Sequence, residues 1–141
     1  MRVIEMNYFV TGGTGFIGRF LVARLLKREG AVVYLLCRQA SQSKFHDLMD
    51  ELGATEQQLI PVFGDISQPS LVSDTDLAKL KGTIDHVFHL AAIYDMNMSE
   101  AEGEAINNQG TRHVVNFVNQ LGGKVKLHHM SSIAVAGTEW Q

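Results

Sequence analysis

Short apolar runs alternate with stretches of helical periodicity along the whole chain, and nothing else in the sequence constrains its fold as strongly. Met6–Thr11 (MNYFVT) reads as a strand buried on both faces and is ended by glycines. Phe16, Ile17, Phe20, Leu21 and Leu25 then recur at helical spacing, Arg19, Arg24, Lys27 and Arg28 fill the other face, and Gly30 closes the helix. Val32–Cys37 is a second strand, leading through Arg38 and a polar loop to a helix from about Lys44 to Leu52 that Gly53 ends. Leu59–Phe63 is a third strand, followed by Gly64-Asp65-Ile66, a loop with Pro69 and a short helix near Asp74–Leu80. Asp85–Leu90 is a fourth strand. A long helix with Ile106, Gly110, Val114, Phe117 and Leu121 along one side comes next, Gly110 allowing a close approach to the sheet, and Gly122-Gly123 stop it before a fifth strand at Val125–Met130. This is the pattern of an α/β chain with a doubly wound parallel sheet, and right-handed crossovers give the strand order 3-2-1-4-5.

Composition removes several classes of function. A formal net charge of -3 over 141 residues gives no electrostatic footprint for nucleic acid. No apolar run approaches the ~20 residues that span a bilayer, so no transmembrane segment is expected. The first five residues meet an acidic side chain before any apolar stretch forms, unlike a secretory signal. Cys37 is the only cysteine, which rules out an intrachain disulfide and suits a reducing, cytoplasmic location.

Between the first strand and the first helix, Thr11-Gly12-Gly13-Thr14-Gly15-Phe16-Ile17-Gly18 places glycines at the spacing G-x-x-G-x-x-G. Gly12 permits the tight turn, Gly15 lets the backbone approach a pyrophosphate, and Gly18 lets the helix pack on its strand. The free N–H groups and positive dipole end of the helix that Phe16 and Ile17 open would then hold the phosphates, the dinucleotide-binding device of a Rossmann fold. About twenty residues further on, a free ribose 2′-hydroxyl is usually held by Asp or Glu. Arg38 stands at that place. A guanidinium pairs bidentately with a 2′-phosphate and stacks on adenine, so the expected cofactor is NADP, with NAD as the alternative and Gln39, Ser41 and Lys44 as further phosphate contacts.

The same loop, Gly64-Asp65-Ile66, His89-Leu90-Ala91-Ala92, Asn107-Asn108-Gln109-Gly110-Thr111 and Ser131-Ser132-Ile133-Ala134-Val135-Ala136-Gly137 occur in the order seen in extended short-chain dehydrogenase/reductases, which this chain resembles. Leu36-Cys37-Arg38 and the phrase Met130 to Gly137 look most like the branch that holds thioester reductases and fatty acyl-CoA reductases, while sugar-nucleotide epimerases and dehydratases share most of these motifs. The resemblance implies that residues 1–141 are one NAD(P)-binding domain, the N-terminal part of a longer enzyme. It puts Asp65 at the adenine through its carboxylate and Ile66 there through a backbone contact and apolar packing. It puts Ala91 and Ala92 against the ribose and phosphates, and Asn107 at the family's helix asparagine, although Asn108 stands where an apolar residue is usual. Ser132 takes the place of the catalytic serine or threonine.

Hydride transfer to a carbonyl builds negative charge on oxygen, so the hydroxyl of Ser132 would donate to that oxygen while an acid supplies the proton. In the family the acid is a tyrosine whose pKa is lowered by a lysine four residues later. Tyr8, Tyr34 and Tyr94 are not followed by lysine at that distance, so the expectation is a chain that binds cofactor and reduces nothing alone. The substrate implied is a small carbonyl or thioester. A further strand and most of the pocket are expected beyond Gln141, leaving the sheet incomplete on that side and open to self-association. A nucleotide-sugar epimerase or dehydratase, and a non-catalytic NADP(H)-sensing module, stay open as alternatives. The six histidines do not suggest a metal centre, because His86 and His89 are three apart on a strand and His128-His129 are adjacent, and both spacings alternate faces. Cys37 reads as a small apolar filler in a buried strand. Tyr94, Asp95, Met96 and Met98 follow the fourth strand at the edge where such sheets bind ligands, as candidates for the substrate entrance.

Overall fold

The computed structural model describes residues 6–12, 16–66, 68–90, 100–122 and 125–129. Strand β1 (Met6–Thr11) leads to helix α1 (Phe16–Leu26), β2 (Ala31–Cys37) to α2 (Gln42–Leu52), β3 (Leu59–Phe63) to α3 (Asp74–Leu80), and β4 (His86–His89) through α4 (Glu100–Leu121) to β5 (Lys126–His129). All the strand pairings are parallel, in the order β3-β2-β1-β4-β5. The doubly wound sheet expected from the alternation is therefore the one observed, with its direction of winding reversing between β1 and β4. Pro61 sits in β3, an edge strand, where a residue without an N–H can be spared from the ladder.

Each face of the sheet carries its own core. Tyr8, Val10, Val33 and Leu35 pack with Val22 and Leu25 of α1 and Phe45 and Leu48 of α2. On the opposite face Phe9 and Val87 pack with Leu80 of α3 and Val114, Phe117 and Leu121 of α4, the Phe9 and Phe117 ring centroids lying 4.8 Å apart. Because β1 is covered on both sides, the consecutive residues Tyr8, Phe9 and Val10 are all buried, which is why its sequence shows no period of two. β2 alternates instead: Ala31, Val33, Leu35 and Cys37 are buried and the residues between them are half-buried.

Several local expectations shift in the structure. The buried stripe of α1 runs through Gly18, Val22 and Leu25, and Phe20 is 61% exposed. At about 100° per residue Phe20 lies some 200° around the helix from Gly18, so seating Gly18 against the sheet turns Phe20 outward. α1 ends at Leu26, and Gly30, with φ 79°, makes the turn into β2 rather than the helix cap. Arg28 lies in that turn, and its guanidinium donates to the Tyr8 hydroxyl at 2.9 Å. The polar loop after Arg38 is a 3-10 turn, Gln39–Ser41, that runs into α2 two residues earlier than expected. β4 is shorter than the expected run, spanning His86–His89, and β5 begins at Lys126, one residue later than expected, while Met130 lies outside the described residues. The α4 stripe of Gly110, Val114, Phe117 and Leu121 is buried as its periodicity predicts.

Candidate nucleotide-binding site

In a parallel sheet the carboxyl ends of the strands lie along one edge, and the described parts of the glycine loop, of the segment after β2 and of the loop after β3 lie there. β1 ends at buried Thr11, and the chain turns at Gly12, whose φ of 75° favours glycine. Phe16 and Ile17 open α1, and Gly18 is buried in its first turn. The first turn of α1 holds no acidic side chain that would oppose the positive end of the helix. Thr14 and Gly15 lie outside the described residues.

Arg38 follows the end of β2 on an extended backbone, φ -76° and ψ 149°. It is exposed and makes no ion pair among the described residues. Lys44 is likewise exposed in the first turn of α2.

Past the end of β3, the Gly64 amide donates to the Cys37 carbonyl at 3.1 Å and extends the β2–β3 pairing by one residue. The chain then folds back, with the Asp65 amide donating to the Leu71 carbonyl at 3.0 Å and Gly64 bridging Val72. A Cβ on Gly64 would run into the Leu71 carbonyl oxygen. Ile66 is 6% exposed and packs beneath α4. Gly110 faces it so closely that a Cβ there would stand 3.0 Å from Ile66 Cδ1, so the close approach that this glycine permits is to the loop after β3 and not to a strand. One turn along α4, His113 Nδ1 lies 2.6 Å from the Ile66 carbonyl oxygen, which can only accept, so Nδ1–H is the donor.

A second tie from α4 reaches the centre of the edge. His89 is 2% exposed, and its Nδ1 lies 2.7 Å from Thr11 Oγ1 and its Nε2 3.3 Å from Thr111 Oγ1. The Leu90 amide donates to both the Thr11 carbonyl and its Oγ1, each at 3.1 Å. The start of the glycine turn, the end of β4 and α4 are thus joined through one buried imidazole. Asn108 is exposed on α4, and the side chain of Asn107 lies outside the described residues. Ala91, Ala92, Ser132, Tyr94, Asp95, Met96 and Met98 lie outside the described residues.

His86 and His89 divide by face as their spacing requires, and the side chain of His129 lies outside the described residues. His86 stacks on Tyr8 and its Nδ1 meets His128 Nε2 at 3.1 Å, on the side away from His89 and Thr111. Among the described residues no three side chains of metal-ligand type come together. Cys37 is buried, and burial pushes its thiol up, away from the reactive thiolate. Two contributors escaped sequence reasoning, the His89 bridge and the His113 donor. The second had a signal: His113 is three residues after Gly110 and shares its helix face.

A glycine turn, a helix N-terminus free of acid, an exposed guanidinium after β2 and a held loop after β3 fit a dinucleotide lying across the edge. The class is that of NAD(P)-binding Rossmann domains. Residues 10–141 match the NAD-binding family described as male sterility protein, and the chain belongs to that family. A Drosophila melanogaster protein named as a candidate fatty acyl-CoA reductase is 32% identical over 146 residues, covering 92% of this chain and 28% of its own length. The terminal R domain from the myxalamid PKS-NRPS biosynthetic pathway superposes with a TM-score of 0.74 at 27% identity, covering 96% of this chain and 37% of its own. Gre2 from Candida albicans, solved in complex with NADPH, gives a TM-score of 0.75 at 25% identity over 92% of this chain and 38% of its own. The chain therefore spans under two fifths of the length of each of these proteins.

Proposed function

We propose that residues 1–141 form the nucleotide-binding domain of an NADP-preferring reductase of the extended short-chain type that acts on acyl thioesters or the corresponding aldehydes. The observation that carries the cofactor preference is Arg38: an exposed guanidinium with no ion pair among the described residues stands where a carboxylate would select NAD. Family membership supports a nicotinamide cofactor, and the names of the similar proteins support the substrate class.

In this reading Gly12, Thr14, Gly15 and the amides of Phe16, Ile17 and Gly18 hold the pyrophosphate, and Arg38 holds the 2′-phosphate. Asp65 and Ile66 receive the adenine, while Ala91 and Ala92 leave room for ribose and phosphate beside β4. Asn107 takes the place of the family's helix asparagine that contacts the cofactor. NADPH supplies the hydride when bound. Ser132 donates a hydrogen bond to the substrate oxygen as charge develops there, which stabilises the transition state more than the ground state. A buried, unreactive Cys37 suits a reducing cytoplasm.

Calorimetric titration with NADPH and then NADH, on the wild type and on Arg38→Ala, tests the reading. Losing a charge-assisted, bidentate contact should weaken NADPH binding by about tenfold or more and leave NADH nearly unchanged. Equal affinity of the wild type for both dinucleotides would refute the role of Arg38.

A further inference from the structure

We infer that His113 is a positioning residue for the adenine subsite, acting through the backbone of Ile66; the inference rests on the assignment of Asp65 and Ile66 to the adenine. The loop after β3 is held from two sides. From below, the Asp65 amide is bound to the Leu71 carbonyl. From α4, His113 donates to the Ile66 carbonyl at 2.6 Å, and Gly110 leaves space for the Ile66 side chain.

The geometry makes this contact more than a packing accident. Ile66 is buried, and His113 is the partner that reaches its carbonyl from the helix. Without that donor the carbonyl would have to find another partner, and the cheapest route is for the loop to move. Gly110 and His113 are i and i+3 on one face, so one turn of α4 sets both where Ile66 sits and how its peptide is turned. Movement of Ile66 carries Asp65 with it, and Asp65 is the carboxylate assigned to the adenine, able to accept from the base's amino group. His113 itself need not touch the nucleotide. Because it acts on the loop assigned to the adenine, it is a determinant of which base is accepted, not of the hydride step.

The test compares NADPH with its hypoxanthine analogue, which presents a carbonyl oxygen where adenine has its amino group. Dissociation constants of both are measured by fluorescence titration for the wild type, His113→Ala and His113→Asn, with thermal melting of each free protein. Asparagine keeps a side-chain N–H at a similar reach. The expected result is a wild-type preference for adenine that falls by about tenfold in His113→Ala, returns in His113→Asn, and does not follow the melting temperature. An unchanged preference in His113→Ala overturns the inference. So does an equal weakening of both dinucleotides that tracks lost stability, because that is what a purely structural residue would give. If the wild type itself fails to prefer adenine, the assignment of Asp65 and Ile66 falls first and takes the role of His113 with it.

Discussion

Glycines serve two different purposes at this edge. Gly12 is needed for its dihedral angle, φ 75°, which a side chain would strain. Gly64 has no such angle; it is needed for space, because the Leu71 carbonyl occupies the position of its missing Cβ and Leu36 Cδ1 would lie 2.9 Å away. A backbone oxygen cannot swing aside as a side chain can, so Gly64→Ala must push the 64–72 loop apart. We expect a loss of about 3 kcal/mol, the upper end for forcing atoms into packed space, read as a lower urea midpoint with little change in slope. A loss under about 0.5 kcal/mol would mean that the loop has slack there. The need for Gly12 could be read from the sequence because its reason is local. The reason for Gly64 depends on a residue seven positions further along and on how the chain folds back to it. The donor role of His113 was hidden in the same way, since its partner Ile66 lies in another element.

At the scale of elements, periodicity revealed what is buried, and packing decided which face. The α4 stripe could be read directly, because Gly110, Val114, Phe117 and Leu121 stand at consistent helical spacing. In α1 the pattern put Phe20 on the apolar face with Leu21 and Leu25, but seating Gly18 against the sheet turned it outward. The strand order could be read, but the register between strands was invisible to spacing alone. β4 and β5 set Phe88 opposite His128, which brings the His128 ring within 4.5 Å of Phe88 and its Nε2 to 3.1 Å from His86 Nδ1. Burial first, and then the nearby His128, lower the His86 pKa below its ordinary 6.5, with Asp85 opposing. The folded protein therefore resists a proton that the unfolded chain accepts. Stability from this group is complete above pH 6.5, declines as pH falls below it, and stops declining beneath the lowered folded value. Urea midpoints at pH 7.5 and 5.5 should differ more for the wild type than for His86→Phe, which keeps a ring beside Tyr8 and does not titrate. Identical pH dependence in both would show that His86 carries no such linkage.

For the whole molecule, the two cores fix the sheet and leave its two ends with different tasks. At the amino ends of the strands Asn7 and Asp85 lock β1 to β4: the Asn7 amide donates to Asp85 Oδ2 at 2.9 Å, and its side chain donates to the Thr83 carbonyl. At the carboxyl ends the contacts hold loops in place, through His89 to the glycine turn and through His113 to the segment after β3. Among the described residues β5 is paired on one side only, and we propose that an isolated 141-residue chain self-associates through that edge. The two ends thus differ, with ties between strands at the amino end and, at the carboxyl end, loops held where we propose that the dinucleotide lies. Backbone hydrogen exchange with and without saturating NADPH tests it most directly. Slowed exchange should be confined to the carboxyl edge, at Gly12 to Gly18, Arg38 to Ser41 and Gly64 to Ile66, with Asn7, Asp85 and Lys126 at the other end unaffected. Protection at the amino ends instead, or none at the glycine turn when NADPH is bound, would contradict the account.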